Sequence, residues 1–127
     1  MKDGRYVILC VDDDPDIIDT LRIVLEAHDY IMISADNAGE GLLKFQECQP
    51  DLVIIDLMME EVDAGTQLVT KIRAEQHDAI VYLLSSVGDQ LHQMTDTAAL
   101  GLAGTFQKPI HPAQLLRTLE AKLKGRG

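Results

Sequence analysis

Basic residues are scarce in this chain: 11 lysines and arginines stand against 21 aspartates and glutamates, a formal net charge of −10. That balance excludes sequence-independent nucleic-acid binding, which needs a basic stripe. It also disfavours docking on an anionic membrane surface. Most of the excess charge reads as a solvated surface. Cysteine is as scarce, with only Cys10 and Cys48 and neither in a metal-type spacing. A disulfide framework is thereby excluded, and reduced thiols in a cytoplasmic protein are expected. The four histidines, His28, His77, His92 and His111, are scattered and suggest no metal cluster. No apolar stretch approaches a membrane span. The basic start, Met1 to Arg5, leads into an apolar run that stops at Val11 before Asp12-Asp13-Asp14, so no signal peptide is expected. Linkers, repeats and low-complexity segments are missing too, and 127 residues with 46% apolar content suit one domain spanning 1–127.

Short apolar runs alternate with helical periodicity five times over, the signature of a βα series. Strands are predicted at Tyr6–Val11, Ile31–Ala35, Leu52–Ile55, Ile80–Leu84 and about Gly104–Gln107. The first helix runs from Pro15, a residue suited to a first helical position, to about His28. Its apolar positions Ile17, Leu21, Val24 and Leu25 share one face. Further helices are predicted over about Ala38–Glu47, Gly65–Gln76, Asp89–Leu100 and Pro112–Lys124. The 89–100 stripe, Leu91, Met94 and Ala98, is the weakest of them and the least strongly anchored. Strands one, three and four are apolar nearly throughout and should be central, with two and five at the edges. Right-handed crossovers then give a three-layer, doubly wound α/β fold, a five-stranded parallel sheet of order 2-1-3-4-5.

In such a sheet, ligands bind at the carboxyl ends of the strands. Here four of those ends carry chemistry: Asp12-Asp13-Asp14, Asp56, Ser85-Ser86 and Lys108-Pro109. Two carboxylates about 4 Å apart repel by roughly 4 kcal/mol at an effective dielectric of about 20. A cation must offset that repulsion. Carboxylates with backbone oxygens and waters suit Mg²⁺, and Lys108 brings a further positive charge from another strand end. Capping of the first helix accounts for Asp14 and Asp16 but leaves Asp56 unexplained. The set can hold a divalent cation and a phosphoryl group.

With those residues in place, the chain resembles the receiver domains of two-component response regulators, over about Tyr6 to Lys124. The resemblance rests on Val11-Asp12-Asp13-Asp14-Pro15-Asp16, on Pro50 to Met59 around Asp56, on Ser85-Ser86, on Gly101 and on Lys108-Pro109. It implies a flavodoxin-like topology and a signalling switch rather than an enzyme with a separate substrate. Asp56 would accept a phosphoryl group from a phosphohistidine on a sensor histidine kinase or histidine phosphotransfer protein. Asp13, Asp56 and the Met58 carbonyl would bind Mg²⁺ directly and Asp12 through water, while Ser85 and Lys108 would hold the phosphoryl oxygens. The Lys108-Pro109 bond is often cis in the family. The signal would leave through the surface of the 89–100 helix, the fifth strand and the last helix, to a downstream effector or output domain. A second copy of the chain is a further candidate partner for that surface.

Some positions depart from the family pattern. Glu60 replaces a proline four residues after the acceptor, and Ala64 replaces a glycine eight after it, followed by Gly65. Thr105 stands where a rotating aromatic is usual, and Phe106 beside it is expected to face the core, leaving Tyr82 or the 89–100 helix to read the signal. Met58 and Val87 are apolar where polar groups are common, which implies an altered dephosphorylation rate. Rival readings fare worse. A haloacid-dehalogenase Asp-x-Asp would continue with Thr or Val where Asp16 stands, and an EF-hand would need Gly at Ile17 and Glu at Ile23. A flavodoxin-like cofactor binder would need a Ser/Thr/Gly-rich loop after strand one. The alternative left standing is a receiver-like docking module that works without phosphorylation.

Overall fold

The structure is a computed structural model that describes residues 2–57, 64–76, 78–85 and 102–124. Five parallel strands, β1 (Val7–Val11), β2 (Ile31–Ala35), β3 (Leu52–Asp56), β4 (Val81–Ser85) and β5 (Gly104–Gln107), form one sheet of order β2-β1-β3-β4-β5. The described helices are α1 (Pro15–Glu26), α2 (Ala38–Cys48), α3 (Ala64–Glu75) and, numbered in turn, α4 (Pro112–Lys124). The order is the one expected from the apolar central strands, and β1, β3 and β4 are buried along their whole length. Period-two alternation sorts the strand side chains into two cores. Leu9, Val11, Val53, Ile55 and Leu83 meet α2 and α3 through Phe45, Leu68, Val69 and Ile72. Ile8, Cys10, Ile54, Tyr82 and Phe106 meet α1 and α4 through Leu21, Leu25, Leu115 and Leu119. The predicted 89–100 helix and positions Met58, Glu60, Ser86, Val87 and Gly101 lie outside the described residues.

Helix limits follow from local chemistry. Asp14 caps α1, its carboxylate accepting from the Asp16 N–H at 2.9 Å, and Asp16 adds an acid to the first turn, where the helix dipole favours one. The helix stops at Glu26, short of the expected His28. The His28 and Asp29 N–H groups turn back to Leu25 and Glu26, and Asp29 takes a left-handed φ of 66°. Such i→i+3 bonds tighten a last turn. α2 runs one residue past its expected end, because Gln49 adopts the left-handed cap that glycine usually supplies. β3 and β4 take in Asp56 and Ser85, which still pair with Leu84 and Gln107.

Burial divides the cysteines sharply. Cys10 lies inside β1, where burial pushes its thiol well above the usual range, whereas Cys48 is exposed at the end of α2. A disulfide reagent such as DTNB is expected to titrate one thiol in the native protein and both in denaturant. Rapid reaction of both thiols without denaturant would contradict this packing of β1.

Candidate functional site

The carboxyl ends of β1, β3 and β5 bring Asp12, Asp13, Asp56 and Lys108 together. One carboxylate oxygen from each aspartate lies within 4.8 Å of the others. The Lys108 Nζ stands 3.2 Å from Asp12 Oδ2 and 3.4 Å from Asp56 Oδ1. Parallel pairing sets this geometry. Val11 lies beside Ile55 in the β1–β3 register, so the following residues, Asp12 and Asp56, stand side by side at the strand tips. β5 then hands Lys108 across, its N–H bonded to the Ser85 carbonyl at 2.8 Å. The Lys108–Pro109 peptide is cis.

Asp12 and Asp56 are almost wholly buried, at 1% and 3% exposure, while Asp13 faces solvent. Three carboxylates therefore share one ammonium, leaving a formal surplus of two negative charges. Burial works against the Lys108 ammonium, but the charges of Asp12 and Asp56 outweigh it and raise the lysine pKa above its ordinary value. The donor set fits a small hard dication: all its atoms are oxygens, and a divalent ion would cancel the surplus. Asp12 Oδ1 accepts from the Asp14 N–H at 2.9 Å, while its buried Oδ2 faces the Lys108 ammonium and has no hydrogen-bond partner among the described residues, an oxygen left open to a cation or its water.

Ser85 is buried at the carboxyl end of β4, between the strands that carry Asp56 and Lys108. Met58, whose carbonyl was expected to complete the metal shell, lies outside the described residues. Thr105 is exposed, and Phe106 turns into the core as expected. There it stacks on Tyr82 at 4.8 Å. Sequence reasoning missed the role of Gly65. A Cβ at that position would overlap the Asp56 carbonyl oxygen and lie 2.9 Å from that of Leu57. The first turn of α3 thus rests directly on the backbone of the candidate acceptor. The signal was visible in the displaced glycine, nine residues after Asp56 where the family pattern has it eight after.

Comparison with known proteins agrees with this geometry. Residues 8–120 match the response regulator receiver domain family, and the chain belongs to it. It is similar to the protein PilH of Pseudomonas aeruginosa, 29% identical over 120 residues that cover 93% of this chain and 98% of PilH. It is also similar to the transcriptional regulatory protein GlrR of Escherichia coli, 32% identical over 92% of this chain but only 26% of GlrR. The chain spans about a quarter to a half of the transcriptional regulators it matches. Among solved structures, a CheY-like receiver domain from Methanospirillum hungatei superposes with a TM-score of 0.86 at 26% identity, covering 97% of both chains. CheY4 of Vibrio cholerae gives 0.83 at 25% identity, covering 94% of this chain and 99% of that one.

Proposed function

We propose that residues 1–127 form one cytoplasmic receiver unit, a phosphoryl-accepting switch of a two-component or phosphorelay system. An Asp56 carboxylate oxygen attacks the phosphorus of a phosphohistidine on a sensor histidine kinase or histidine phosphotransfer protein. An O–P bond forms, the P–N bond breaks, and the departing imidazole nitrogen keeps the electron pair and takes up a proton. Lys108, already at Asp56, holds the transferred oxygens, and the Ser85 hydroxyl donates to one of them. Asp13, Asp56 and the Met58 carbonyl would hold Mg²⁺, with Asp12 assisting through water; when bound, it offsets the negative charge of carboxylates and phosphoryl group. Positioning and charge neutralisation supply most of the catalysis in such a transfer. The switch acts on itself, promoting its own phosphorylation and dephosphorylation, and turns over no separate substrate. Its output surface, residues 89–100 with β5 and α4, would meet an effector or output domain, or a second copy of the chain.

The observation that carries this reading is Lys108 poised between Asp12 and Asp56 with a third carboxylate beside them. Intact mass after incubation with acetyl phosphate tests it, in Mg²⁺ and in EDTA, on wild type and Asp56→Asn. One added phosphoryl group that needs both Mg²⁺ and Asp56 is expected. No adduct in a rapid quench, with no spectral change on adding beryllofluoride, would favour a docking module that works without phosphorylation.

A further inference from the structure

The side chain of Asp14 caps α1, while its backbone N–H turns back to the pocket and donates to Asp12 Oδ1 at 2.9 Å. The rest of Asp14 is fixed by the start of the helix. Its carboxylate accepts from the Asp16 N–H at 2.9 Å, and its carbonyl accepts from the Ile18 N–H at 3.2 Å. Pro15 stands at the beginning of α1, and a residue before proline is confined to extended backbone. Asp14 accordingly has φ −93° and ψ 111°. Its amide is thus a donor whose direction is set by the helix and not by Asp12.

Asp12 is held at its own backbone by β2, its N–H bonded to the Ala35 carbonyl at 3.1 Å. Its side chain is fully buried. The terminal torsion of an aspartate is soft and roughly two-fold, so nothing within the residue decides which oxygen faces the pocket. The Asp14 N–H decides it. It takes Oδ1, and Oδ2 is left 3.2 Å from Lys108 Nζ with no hydrogen-bond partner among the described residues. An ammonium carries three donors and can engage both oxygens of one carboxylate. Without the Asp14 amide, Asp12 is free to turn both oxygens to Lys108. That turn would draw the ammonium from Asp56, which it faces at 3.4 Å, and leave a cation no Asp12 oxygen of fixed direction.

We propose that the backbone N–H of Asp14 is a positioning group of this site, orienting the Asp12 carboxylate so that Oδ2 alone is offered to the cation or its water and Lys108 stays shared between Asp12 and Asp56. The proposal rests on the receiver reading and adds to it a direct link between the start of α1 and the pocket. The test removes that one donor: an ester replaces the Asp13–Asp14 amide in the full-length chain, assembled by ligation at Cys48, so that every side chain is kept. Asp14→Ala is the counterpart, keeping the N–H and losing the cap. In wild type a scalar coupling through the hydrogen bond, between the Asp14 ¹⁵N and the Asp12 carboxylate ¹³C, is expected. At a temperature where all the proteins are folded, the half-saturating Mg²⁺ concentration, followed by amide shifts, should rise about three- to tenfold in the ester, the equivalent of one hydrogen bond. It should rise less in Asp14→Ala, although that variant gives up a carboxylate and a helix cap. An ester that binds Mg²⁺ as wild type does, or an equal loss in Asp14→Ala, overturns the proposal and leaves Asp14 a helix cap only. The receiver reading fails separately, on the uptake of phosphoryl by wild type, because the Mg²⁺ titration contains no phosphodonor.

Discussion

Replacing Lys108 with methionine is expected to lower the unfolding free energy in EDTA by roughly 2–3 kcal/mol. Breaking a buried ion pair by removing one partner costs about 3–5 kcal/mol, and the figure is reduced here because the lysine side chain keeps 18% of its surface in solvent. Methionine preserves most of the apolar stem, so the loss is mainly electrostatic. The three carboxylates are left to repel one another without the ammonium that served two of them. Because the folded lysine pKa is raised, its contribution is complete below the unfolded value of about 10.4 and is lost as pH rises through the higher folded value. The difference between wild type and variant should therefore stay constant from neutral pH to about pH 10 and shrink beyond it. Mg²⁺ separates charge from packing: it should raise the urea midpoint of the variant more than that of wild type. Equal midpoints in EDTA would show that Lys108 does not hold the carboxylates together. A loss that Mg²⁺ leaves untouched would assign the effect to the lysine stem.

The legibility of this fold in its sequence has a physical cause. Each central strand is buried on both faces, so its apolar run is unbroken, and each run ends at the polar residue that stands at the strand tip. Asp12, Asp56 and Ser85 were therefore marked by the sudden change from apolar to polar at a strand tip, whereas Lys108 follows the mixed edge strand β5 and was marked by the Lys108-Pro109 pair. Two things were hidden. Element ends depend on single backbone angles, and neither Gln49 nor Asp29 advertises a left-handed conformation as a glycine would. Close approach between elements is equally silent, since a glycine reports the space it lacks only once its neighbours are placed. Gly41 and Gly65 both lie on helices against the same core, and sequence alone gives no way to rank them.

The structure ranks them clearly. Gly65→Ala is expected to destabilise the protein by about 2 kcal/mol or more, and Gly41→Ala to change stability by less than about 1 kcal/mol. Overpacking typically costs about 1–3 kcal/mol and occasionally more, set against the gain of about 1 kcal/mol that alanine has over glycine in a helix interior. At Gly41 the added methyl would meet Leu68 Cδ2 and Val11 Cγ2, each at 3.0 Å. Those are side-chain methyls able to give by a few tenths of an ångström, so gain and cost nearly cancel. At Gly65 it would meet only backbone, the carbonyl oxygens of Asp56 and Leu57 and the Leu57 Cα at 3.1 Å. β3 is hydrogen-bonded between β1 and β4, with the Leu57 N–H held to the Leu84 carbonyl at 2.9 Å. It cannot yield, so the first turn of α3 must retreat. Urea unfolding of the two variants measures the contrast directly. The retreat also acts on chemistry, because the contact made by Gly65 is with the carbonyl of Asp56 itself. At a temperature where both variants are fully folded, Gly65→Ala should take up phosphoryl from acetyl phosphate more slowly than Gly41→Ala. If Gly65→Ala unfolded at the wild-type midpoint, the close approach of α3 to Asp56 would be refuted. If it were destabilised yet phosphorylated at the wild-type rate, the contact would support the fold without positioning the acceptor.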